Sequence, residues 1–499
     1  MNQKQVTQKK RLIIVSNRLP IVISKNNEGA WRIKPGSGGL VTALAPVLKN
    51  RGGLWIGWPG NTKTDEEFDL QALLEDAAKD CGYKFKPVSV TKKEVDGYYY
   101  GFSNQILWPL FHDFQTRCNF SPDYWNIYAR VNQKFAQVIS QNVSVDDDHI
   151  WVHDYHLMAV ARSLREIGIT SEIGFFLHIP FPPLDLFLKL PWRFQILKDL
   201  LSYDLIGFQT QRDQRNFVQC VHAMLKDAHI KGEDRLIDMK VDGRKVRIGN
   251  FPISIDYAEF AQKAASVEVE NRLSEIKAVF KTQHVVLGVD RLDYTKGIPD
   301  RLIAFRNALE RFPDLHSKIS FVQIVVPSRV SIPEYNDLKN EIERLVSEIN
   351  GEYTQPGWIP IHYIFNSVDR TELVALYRAA DIALVTPLKD GMNLIAKEYC
   401  ASNITENGVL ILSEFAGAAG QLYEHALLVN PYDIESTAEK IYQACQMDST
   451  ERKMRMRALR KNVRNFDIYW WVDSFMKAVF AHDLKDFTPL TDYIPTSEI

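Results

Sequence analysis

The 499-residue sequence contains little cysteine and almost no net charge. Its five cysteines are widely spaced and form no CxxC pair, which favours reduced thiols in the cytoplasm over a disulfide framework or a zinc ribbon. There are 60 Lys and Arg against 62 Asp and Glu, which gives a formal charge of -2. This balance indicates neither a nucleic-acid partner nor an acidic membrane surface.

Two further signals are missing from the sequence. No apolar run approaches the roughly 18 residues needed to span a bilayer, and the polar start 1–10 precedes only the short run Leu12–Val15, unlike a secretory signal. No GxGxxG motif stands ahead of a ribose-binding acid, which argues against a nicotinamide-dependent dehydrogenase. We therefore expect a cytoplasmic protein that neither enters nor binds a membrane.

Short apolar runs alternate with longer amphipathic stretches in both halves of the chain, which is typical of α/β domains with buried parallel sheets. The predicted strands are Leu12–Val15, Ile150–Val152, Ile173–Leu177, Leu205–Phe208, Val285–Val289, Ile319–Val326, Ile361–Ile364, Ile382–Val385 and Val409–Leu412. The stretch Glu259–Phe280 has the charge pattern of a helix.

A proline among turn residues marks the boundary between the two halves near Pro252. We predict one domain at 11–252 and a second at 253–466. The aromatic, amphipathic segment at about 467–485 is predicted to pack as a helix, and 1–10 and 487–499 are predicted tails.

The segment Pro387–Tyr399 follows the predicted strand Ile382–Val385 and indicates a loop that leads into a helix. Backbone N–H groups at such a helix start suit an anion such as a diphosphate. The carboxylate of Glu398 could accept two sugar hydroxyls. Because ligands of doubly wound sheets bind at the carboxyl ends of the strands, residues that follow the other predicted strands are candidates as well.

Cations follow three of these strands. Arg18 in the motif SNRLP and Arg329 in PSR suit a phosphate group, although Arg18 could equally form a salt bridge that closes a loop. Arg291 and Lys296 in DRLDYTKG could neutralise a diphosphate leaving group, unless Asp293 engages Arg291 in a salt bridge. Two cationic centres, Arg291 with Lys296 and Arg18 with Arg329, are compatible with two phosphorylated ligands.

Glycine and aromatic motifs provide further candidates. The turn Gly36–Leu40 could bring backbone close to a phosphate or sugar, although a structural turn before a helix is equally compatible with it. Tyr99 and Trp108 lie in an aromatic stretch that could contact a sugar face, with core packing as the alternative.

Histidines accompany two strands of the first half. In HDYHL, His153 and His156 have the spacing of a metal pair but lack a third ligand, so Asp154 as an acceptor for sugar hydroxyls is the favoured interpretation. His178 ends the next strand, where a buried structural histidine is the alternative to a functional one.

Taken in order from Arg11 to Asp433, these motifs closely resemble the trehalose-6-phosphate synthase family. The resemblance implies a retaining glycosyltransferase of GT-B type, with two Rossmann-like β/α/β domains facing across a deep cleft and a C-terminal helix that rejoins the first domain. The implied reaction transfers glucose from UDP-glucose to glucose 6-phosphate, giving α,α-trehalose 6-phosphate and UDP. The implied partners are these two substrates, and self-association into a homo-oligomer is compatible with the sequence.

The resemblance also implies which residues hold each substrate. The donor set is Gly38, Gly39, His178, Arg291, Lys296, Val368, Leu373, Asp390, Gly391, Met392, Asn393, Leu394 and Glu398. The acceptor set is Arg18, Tyr99, Trp108, Asp154 and Arg329. The implied catalytic residues are His178, Arg291, Lys296 and Asp154.

We expect no metal and no cofactor, because no DxD-type pair stands out and Arg291, Lys296 and the helix start at Gly391 can supply the charge. No carboxylate is obviously dedicated as a nucleophile, so the resemblance favours attack by the acceptor on the face that the phosphate leaves. The main alternative is a related glycosyltransferase that uses glycerol 3-phosphate as acceptor, or ADP- or GDP-glucose as donor. A non-catalytic sugar-phosphate-binding homologue is disfavoured, since every predicted site residue is present.

Overall fold

The computed structural model describes residues 11–25, 31–36, 39–60, 69–144, 148–232, 235–280, 282–329, 332–480 and 493–494. The chain divides into two compact units. The first unit comprises Met1–Phe251 with Val472–Pro489, and the second comprises Pro252–Trp471 with Leu490–Ile499. Both units are α/β, so the predicted fold class is confirmed.

The first unit contains a sheet of nine strands and a separate hairpin within the described residues. The strands are β1 (Arg11–Arg18), β2 (Ile21–Lys25), β3 (Trp31–Pro35), β4 (Leu54–Trp58), β5 (Lys84–Pro87), β6 (Asp148–His153), β7 (Ile173–Phe176), β8 (Leu205–Phe208), β9 (His229–Lys231), β10 (Leu236–Val241) and β11 (Arg244–Asn250). The sheet order is β5-β4-β1-β6-β7-β8-β11-β10-β9, and β2 pairs with β3. The chain runs outward from β1 in one direction and from β6 in the other, which puts the topological switch point between these two parallel strands.

The helices of this unit cover the sheet. They are α1 (Gly39–Arg51), α2 (Leu70–Cys81), α3 (Lys92–Glu94), α4 (Trp108–Phe111), α5 (Pro122–Ser140), α6 (Val160–Glu166), α7 (Leu184–Phe187), α8 (Arg193–Leu200) and α9 (Gln211–Met224). Between α3 and α4 lies a π-helix, Val95–Leu107. Glycines let it approach α5, because a Cβ at Gly97 or Gly101 would overlap Ile127 or Tyr124.

The second unit has a six-stranded sheet within the described residues, and all its strands are parallel. The strands are β12 (His284–Arg291), β13 (Ile319–Val326), β14 (Ile361–Ile364), β15 (Ile382–Val385), β16 (Val409–Ser413) and β17 (Leu427–Val429). Their order, β14-β13-β12-β15-β16-β17, puts the switch point between β12 and β15.

Ten further helices follow in the described residues. They are α10 (Tyr257–Ala264), α11 (Val267–Val279), α12 (Ile298–Arg311), α13 (Pro333–Tyr353), α14 (Arg370–Ala379), α15 (Leu394–Ser402), α16 (Ala419–Leu422), α17 (Ile434–Gln446), α18 (Ser449–Asn465) and α19 (Ile468–Phe480). No helix in the described part of the chain is long and apolar enough to cross a bilayer.

Every predicted strand is present, with end shifts of a few residues at most. The predicted single helix Glu259–Phe280 is wrong: the chain forms α10 and α11, because Ser266 caps a new helix by accepting a hydrogen bond from Val269 N. The predicted C-terminal helix is present as α19 up to Phe480, and the rest of the prediction lies outside the described residues.

The end of α19 packs on the sheet of the first unit. Phe475 stacks on Trp151 with ring centroids 4.2 Å apart. Arg247 of β11 donates a hydrogen bond of 2.7 Å to Val479 O, which satisfies a carbonyl at the helix end. Of the aromatic residues that suggested a packed helix, Trp471 and Phe475 are fully buried, whereas Tyr469 and Phe480 are exposed.

Candidate active site

Two loops meet at the switch point of the second unit, one after β12 and one after β15. Leu388 N donates to Thr295 O at 2.8 Å. Lys296 Nζ lies 2.7 Å from Asp390 Oδ2, and the two side chains are only 9% and 17% exposed. Because this ion pair is largely shielded from water, it fixes the position of each loop against the other.

The loop after β16 supports the same segment from the other side. Asp390 N donates to Phe415 O, and Gly417 N donates to Asp390 O at 3.1 Å. A Cβ at position 417 would overlap the carbonyl oxygen of Gly391, so only glycine permits this approach. The backbone of Asp390 and Gly391 is thereby held in place without any ligand.

Helix α15 begins directly after this segment. Asn393 is its N-cap and accepts a hydrogen bond from Ala396 N at 3.3 Å, while its Nδ2 donates to Asp390 Oδ2 at 3.2 Å. Its φ of 75° is rarely adopted by a residue other than glycine. The N-terminus of α15, with Gly391, Met392 and Leu394, therefore lies beside Lys296, as expected for an anion site.

Glu398, one turn into α15, is half-buried. Its Oε2 accepts a hydrogen bond of 2.8 Å from the hydroxyl of Tyr377 on α14. Burial raises the pKa of Glu398 to about 7. A carboxyl group in this position can change its charge near neutral pH.

Two other cations follow the neighbouring strands of this unit. Arg291 is the exposed last residue of β12. Arg329, after β13, places Nη1 2.7 Å from the Tyr335 hydroxyl and 3.4 Å from Asp293 Oδ2. Burial alone would raise the pKa of Asp293, but Arg329 and Lys296 hold it below its usual value. The ion pair of Asp293 is thus formed with Arg329, not with Arg291 as the alternative interpretation supposed.

The remaining donor candidates of this unit lie around α14 and α15. Val368 precedes the N-cap of α14, and Leu373 lies on that helix; both are half-buried. Lys397 has a structural role, since its Nζ donates to Ile253 O at 2.8 Å and to Gln421 Oε1 at 2.7 Å.

The first unit brings its candidates together at the switch point between β1 and β6. The Arg18 guanidinium lies over the ring of Trp58, with Cζ 4.5 Å from the ring centroid. Trp58 is followed by Tyr99, at 6.5 Å between ring centroids, and Tyr99 stacks on His156 at 5.7 Å with 10° between the ring planes. A cation and three rings thus form one continuous surface that ends beside Asp154, whose Oδ2 lies 4.0 Å from His156 Nδ1.

Asp154 has an unusual backbone conformation, with φ 77° and ψ 164°. Its Oδ1 accepts a hydrogen bond of 3.3 Å from the backbone N–H of His178. Such conformations cost free energy and occur preferentially at functional sites. The strain here aims the carboxylate of Asp154 at the end of β7, where His178 lies.

The remaining candidates of the first unit are Trp108 and the neighbouring glycines Gly38 and Gly39. Trp108, the first residue of α4, is only 5% exposed and packs on Tyr155 with ring centroids 5.7 Å apart. It therefore supports the Tyr155–His156 segment. Gly39 is the first residue of α1, and Gly38 lies outside the described residues.

Trp58 and Tyr335 are absent from the residues predicted from the sequence, where His156 stands only as a metal-ligand candidate. Trp58 ends β4, so the rule applied to the other strands would have found it had the run Leu54–Trp58 been recognised as a strand. No group of three or more His, Cys, Asp or Glu that could hold a metal occurs in the described ranges.

Comparison with known proteins gives consistent matches. The model of glycosyltransferase family 20 matches residues 10–480. The trehalose-6-phosphate synthase of Mycolicibacterium smegmatis is 41% identical over 474 residues, which cover 94% of this chain and 92% of that protein.

Solved structures agree with this match. An α,α-trehalose-phosphate synthase (UDP-forming) from Burkholderia xenovorans in complex with glucose 6-phosphate is 36% identical, with a TM-score of 0.84 and coverage of 94% of this chain and 99% of that chain. An E. coli structure, described as trehalose-6-phosphate bound with UDP-2-fluoro glucose, is 36% identical, with a TM-score of 0.83 and coverage of 96% and 100%.

Proposed function

Because this chain belongs to glycosyltransferase family 20 and has the GT-B fold of its solved relatives, we propose that it transfers glucose from UDP-glucose to glucose 6-phosphate. The products are α,α-trehalose 6-phosphate and UDP, and the anomeric configuration of the donor is retained. The observation that carries this proposal is the position of the site residues. In the first unit Arg18 and Asp154 end or follow the two strands beside the topological switch point, and in the second unit Arg291, Lys296 and the start of α15 do so; doubly wound folds bind their ligands there.

The second unit supplies the donor side. Arg291, Lys296 and the N-terminus of α15 provide positive charge for the diphosphate, and Glu398 accepts hydrogen bonds from the ribose hydroxyls. Val368 and Leu373 contribute to the surface for the base. In support, Lys296 is already aligned beside the start of α15 by its bond to Asp390.

The first unit supplies the acceptor side. Arg18, over the Trp58 ring, binds the 6-phosphate of glucose 6-phosphate, and Tyr99 presents an aromatic face to the sugar. Asp154 accepts hydrogen bonds from sugar hydroxyls. Arg329 is proposed as a second cation for the 6-phosphate.

Transfer proceeds without a covalent glucosyl-enzyme. The Asp390 carboxylate forms an ion pair with Lys296, and that of Asp154 accepts the backbone N–H of His178, so each is engaged in positioning. The acceptor hydroxyl attacks on the face that the phosphate leaves, and the leaving phosphate takes the proton. His178 contacts the transferred sugar. Detection of a glucosyl adduct on Asp154 or Asp390 by mass spectrometry with a 2-fluoro donor analogue would overturn this mechanism.

The reaction requires no metal and no cofactor, because Arg291, Lys296 and the α15 N-terminus stabilise the charge that develops on the departing UDP. We place the protein in the cytoplasm, where nucleotide sugars are available as substrates and where its five free thiols stay reduced. Self-association into a homo-oligomer forms part of the proposal and can be measured by light scattering.

The decisive assay measures released nucleotide while UDP-, ADP- and GDP-glucose are each combined with glucose 6-phosphate and with glycerol 3-phosphate. We expect UDP release that depends on glucose 6-phosphate, and a product whose two anomeric protons both have the small coupling of the α configuration. Preferred use of glycerol 3-phosphate, or of another nucleotide sugar, would assign the chain to the alternative transferase. A β-linked glucose in the product would show inversion.

A further inference from the structure

A second histidine lies directly against His178. His153, the last residue of β6, is fully buried, and its Nδ1 is 3.1 Å from His178 Nε2. The two ring centroids are 5.3 Å apart, with 35° between the planes. The sheet fixes this arrangement, because His153 is in register with Phe176 on the parallel strand β7 and His178 follows two residues later.

The two facing nitrogens are close enough for one hydrogen bond. Burial, together with His178, lowers the pKa of His153 well below its usual value, and burial lowers the pKa of His178 to about 3. Both rings are therefore neutral at physiological pH. Between two neutral imidazoles one nitrogen donates and the other accepts, and the bond made by one nitrogen of a ring decides which proton the other carries.

We propose that His153 is a positioning residue for the transfer reaction: it donates its Nδ1–H to His178 Nε2 and so holds His178 as the tautomer whose proton is on Nδ1. The direction of this bond follows from the chemistry of the ligands. The diphosphate oxygens next to the transferred sugar only accept hydrogen bonds, so a ring edge that presents N–H is the one that can bind them. The inference rests on the proposed function, which gives His178 its contact with the transferred sugar.

Buried packing alone would also place a histidine at the end of β6, so the test must separate positioning from stability. His149 is the matched control. It lies on the same strand, four residues before His153 and on the same face, and is 1% exposed. Its ring packs against Phe480 with centroids 5.5 Å apart.

The experiment uses the full chain labelled with ¹⁵N-histidine, with His178 assigned through the loss of its signals in His178→Asn. NMR then reports which nitrogen of His178 is protonated in the wild type, in His153→Phe and in His153→Asn. We expect Nδ1–H in the wild type and in His153→Asn, whose amide N–H still donates, and a shift toward Nε2–H in His153→Phe. Melting curves establish that each variant is folded.

Kinetics provide the second measurement. We expect His153→Phe to lower kcat at least about tenfold with a smaller change in the KM for UDP-glucose, as for other residues that orient a histidine in a site. We expect His153→Asn to recover most of kcat and His149→Phe to retain it.

Three results would overturn the inference: an Nε2–H tautomer of His178 in the wild type, the same tautomer in all variants, or an equal loss of kcat in His149→Phe and His153→Phe. If the wild type released no UDP with glucose 6-phosphate, the proposed function would fail while the tautomer measurement still decided the hydrogen bond. The two failures are therefore distinguishable.

Discussion

Lys296 and Asp390 form an ion pair of 2.7 Å that joins the loops after β12 and β15. The ammonium group is thereby held beside the N-terminus of α15. If the proposed donor diphosphate binds here, it meets a cation that Asp390 holds in place, so little reorganisation is needed when negative charge develops on the leaving group.

Replacement of Lys296 by alanine should nearly abolish transfer. Loss of this transition-state stabilisation should cost about 3 kcal/mol, which lowers kcat/KM about 150-fold. The substitution also removes the cation from the ion pair with Asp390. The assay is UDP release with both substrates saturating and then limiting. Arg311→Ala is the control, since it removes an exposed ion pair with Glu439 on α17 and should leave the rate unchanged. A Lys296→Ala enzyme with near-normal turnover would contradict the assignment.

Arg18→Ala should weaken the acceptor and spare the donor. The guanidinium lies over Trp58 and next to the Tyr99 ring system, so its loss should raise the KM for glucose 6-phosphate by about tenfold or more, equivalent to a charged hydrogen bond of about 1.5 kcal/mol. The affinity for UDP, measured by calorimetry, should stay the same. Arg329→Ala tests the second predicted cation in the same assay, and an effect of that variant confined to UDP would move Arg329 to the donor set.

The binding of UDP should depend on pH through Glu398. Burial raises the pKa of this group to about 7, so the unliganded protein binds its proton below that value and releases it above. Ribose hydroxyls donate to the ionised form, and binding should therefore strengthen by up to about tenfold from pH 6 to pH 8.

Glu398→Gln is the matched control, because the amide keeps an acceptor for Tyr377 but does not titrate. Its pH profile reports UDP and the other groups that titrate in this range, among them Lys397, whose pKa is lowered to about 7 by burial. The effect on stability has the opposite sign. Between pH 4.5, which is the pKa of this group in the unfolded chain, and about pH 7, the folded state binds more protons than the unfolded state. The wild type should therefore lose stability as the pH rises through this window. Identical profiles for the two proteins would refute the role of Glu398.

Asp154→Gly should separate stability from activity. The conformation at φ 77° and ψ 164° is one that glycine adopts without strain. We expect an unchanged or higher melting temperature. The rate of transfer should fall about 100-fold, because the carboxylate that would accept hydrogen bonds from the acceptor sugar is gone. Asp242→Gly is the control, because it relieves backbone strain at φ 48° in an exposed turn and should leave transfer intact. Full activity of Asp154→Gly would show that the carboxylate does not contact the acceptor.

Removal of divalent metal should not change the rate. If Arg291, Lys296 and the α15 N-terminus supply the stabilising charge, dialysis against a chelator followed by assay in its presence should give the original kcat. Restoration of activity by added Mg²⁺ or Mn²⁺ after such treatment would replace this part of the mechanism.

The candidate cations could be found from sequence because each stands at the end of an apolar run. Arg18 and Arg291 are the last residues of β1 and β12, and Arg329 lies a short distance after the end of β13. Their partners could not be found in this way. The pairing of Arg329 with Asp293 exists because β13 lies next to β12 in the sheet, and sheet order is not encoded in the pattern of a single strand.

The stacked surface around Tyr99 was beyond prediction for a related reason. Trp58 and His156 belong to different segments, which tertiary packing brings to either side of Tyr99. The strained backbone of Asp154 also depends on its neighbours, since Asp154 N donates to Phe176 O on β7. Local sequence indicates the groups that carry chemistry, whereas their alignment depends on long-range contacts.

The π-helix Val95–Leu107 explains how two aromatic residues that are far apart in sequence pack against the same segment, Tyr155–His156. Tyr99 and Trp108 are nine residues apart, and in an α-helix of 3.6 residues per turn they would project in opposite directions. A π-helix, with roughly 4.4 residues per turn, completes slightly more than two whole turns over that interval and aligns them. Accordingly, Tyr99 stacks on His156 and Trp108 packs on its neighbour Tyr155. The winding of this helix thus sets the directions in which Tyr99 and Trp108 project. Conversion of the segment to an α-helix would turn one of the two rings away from the predicted acceptor surface.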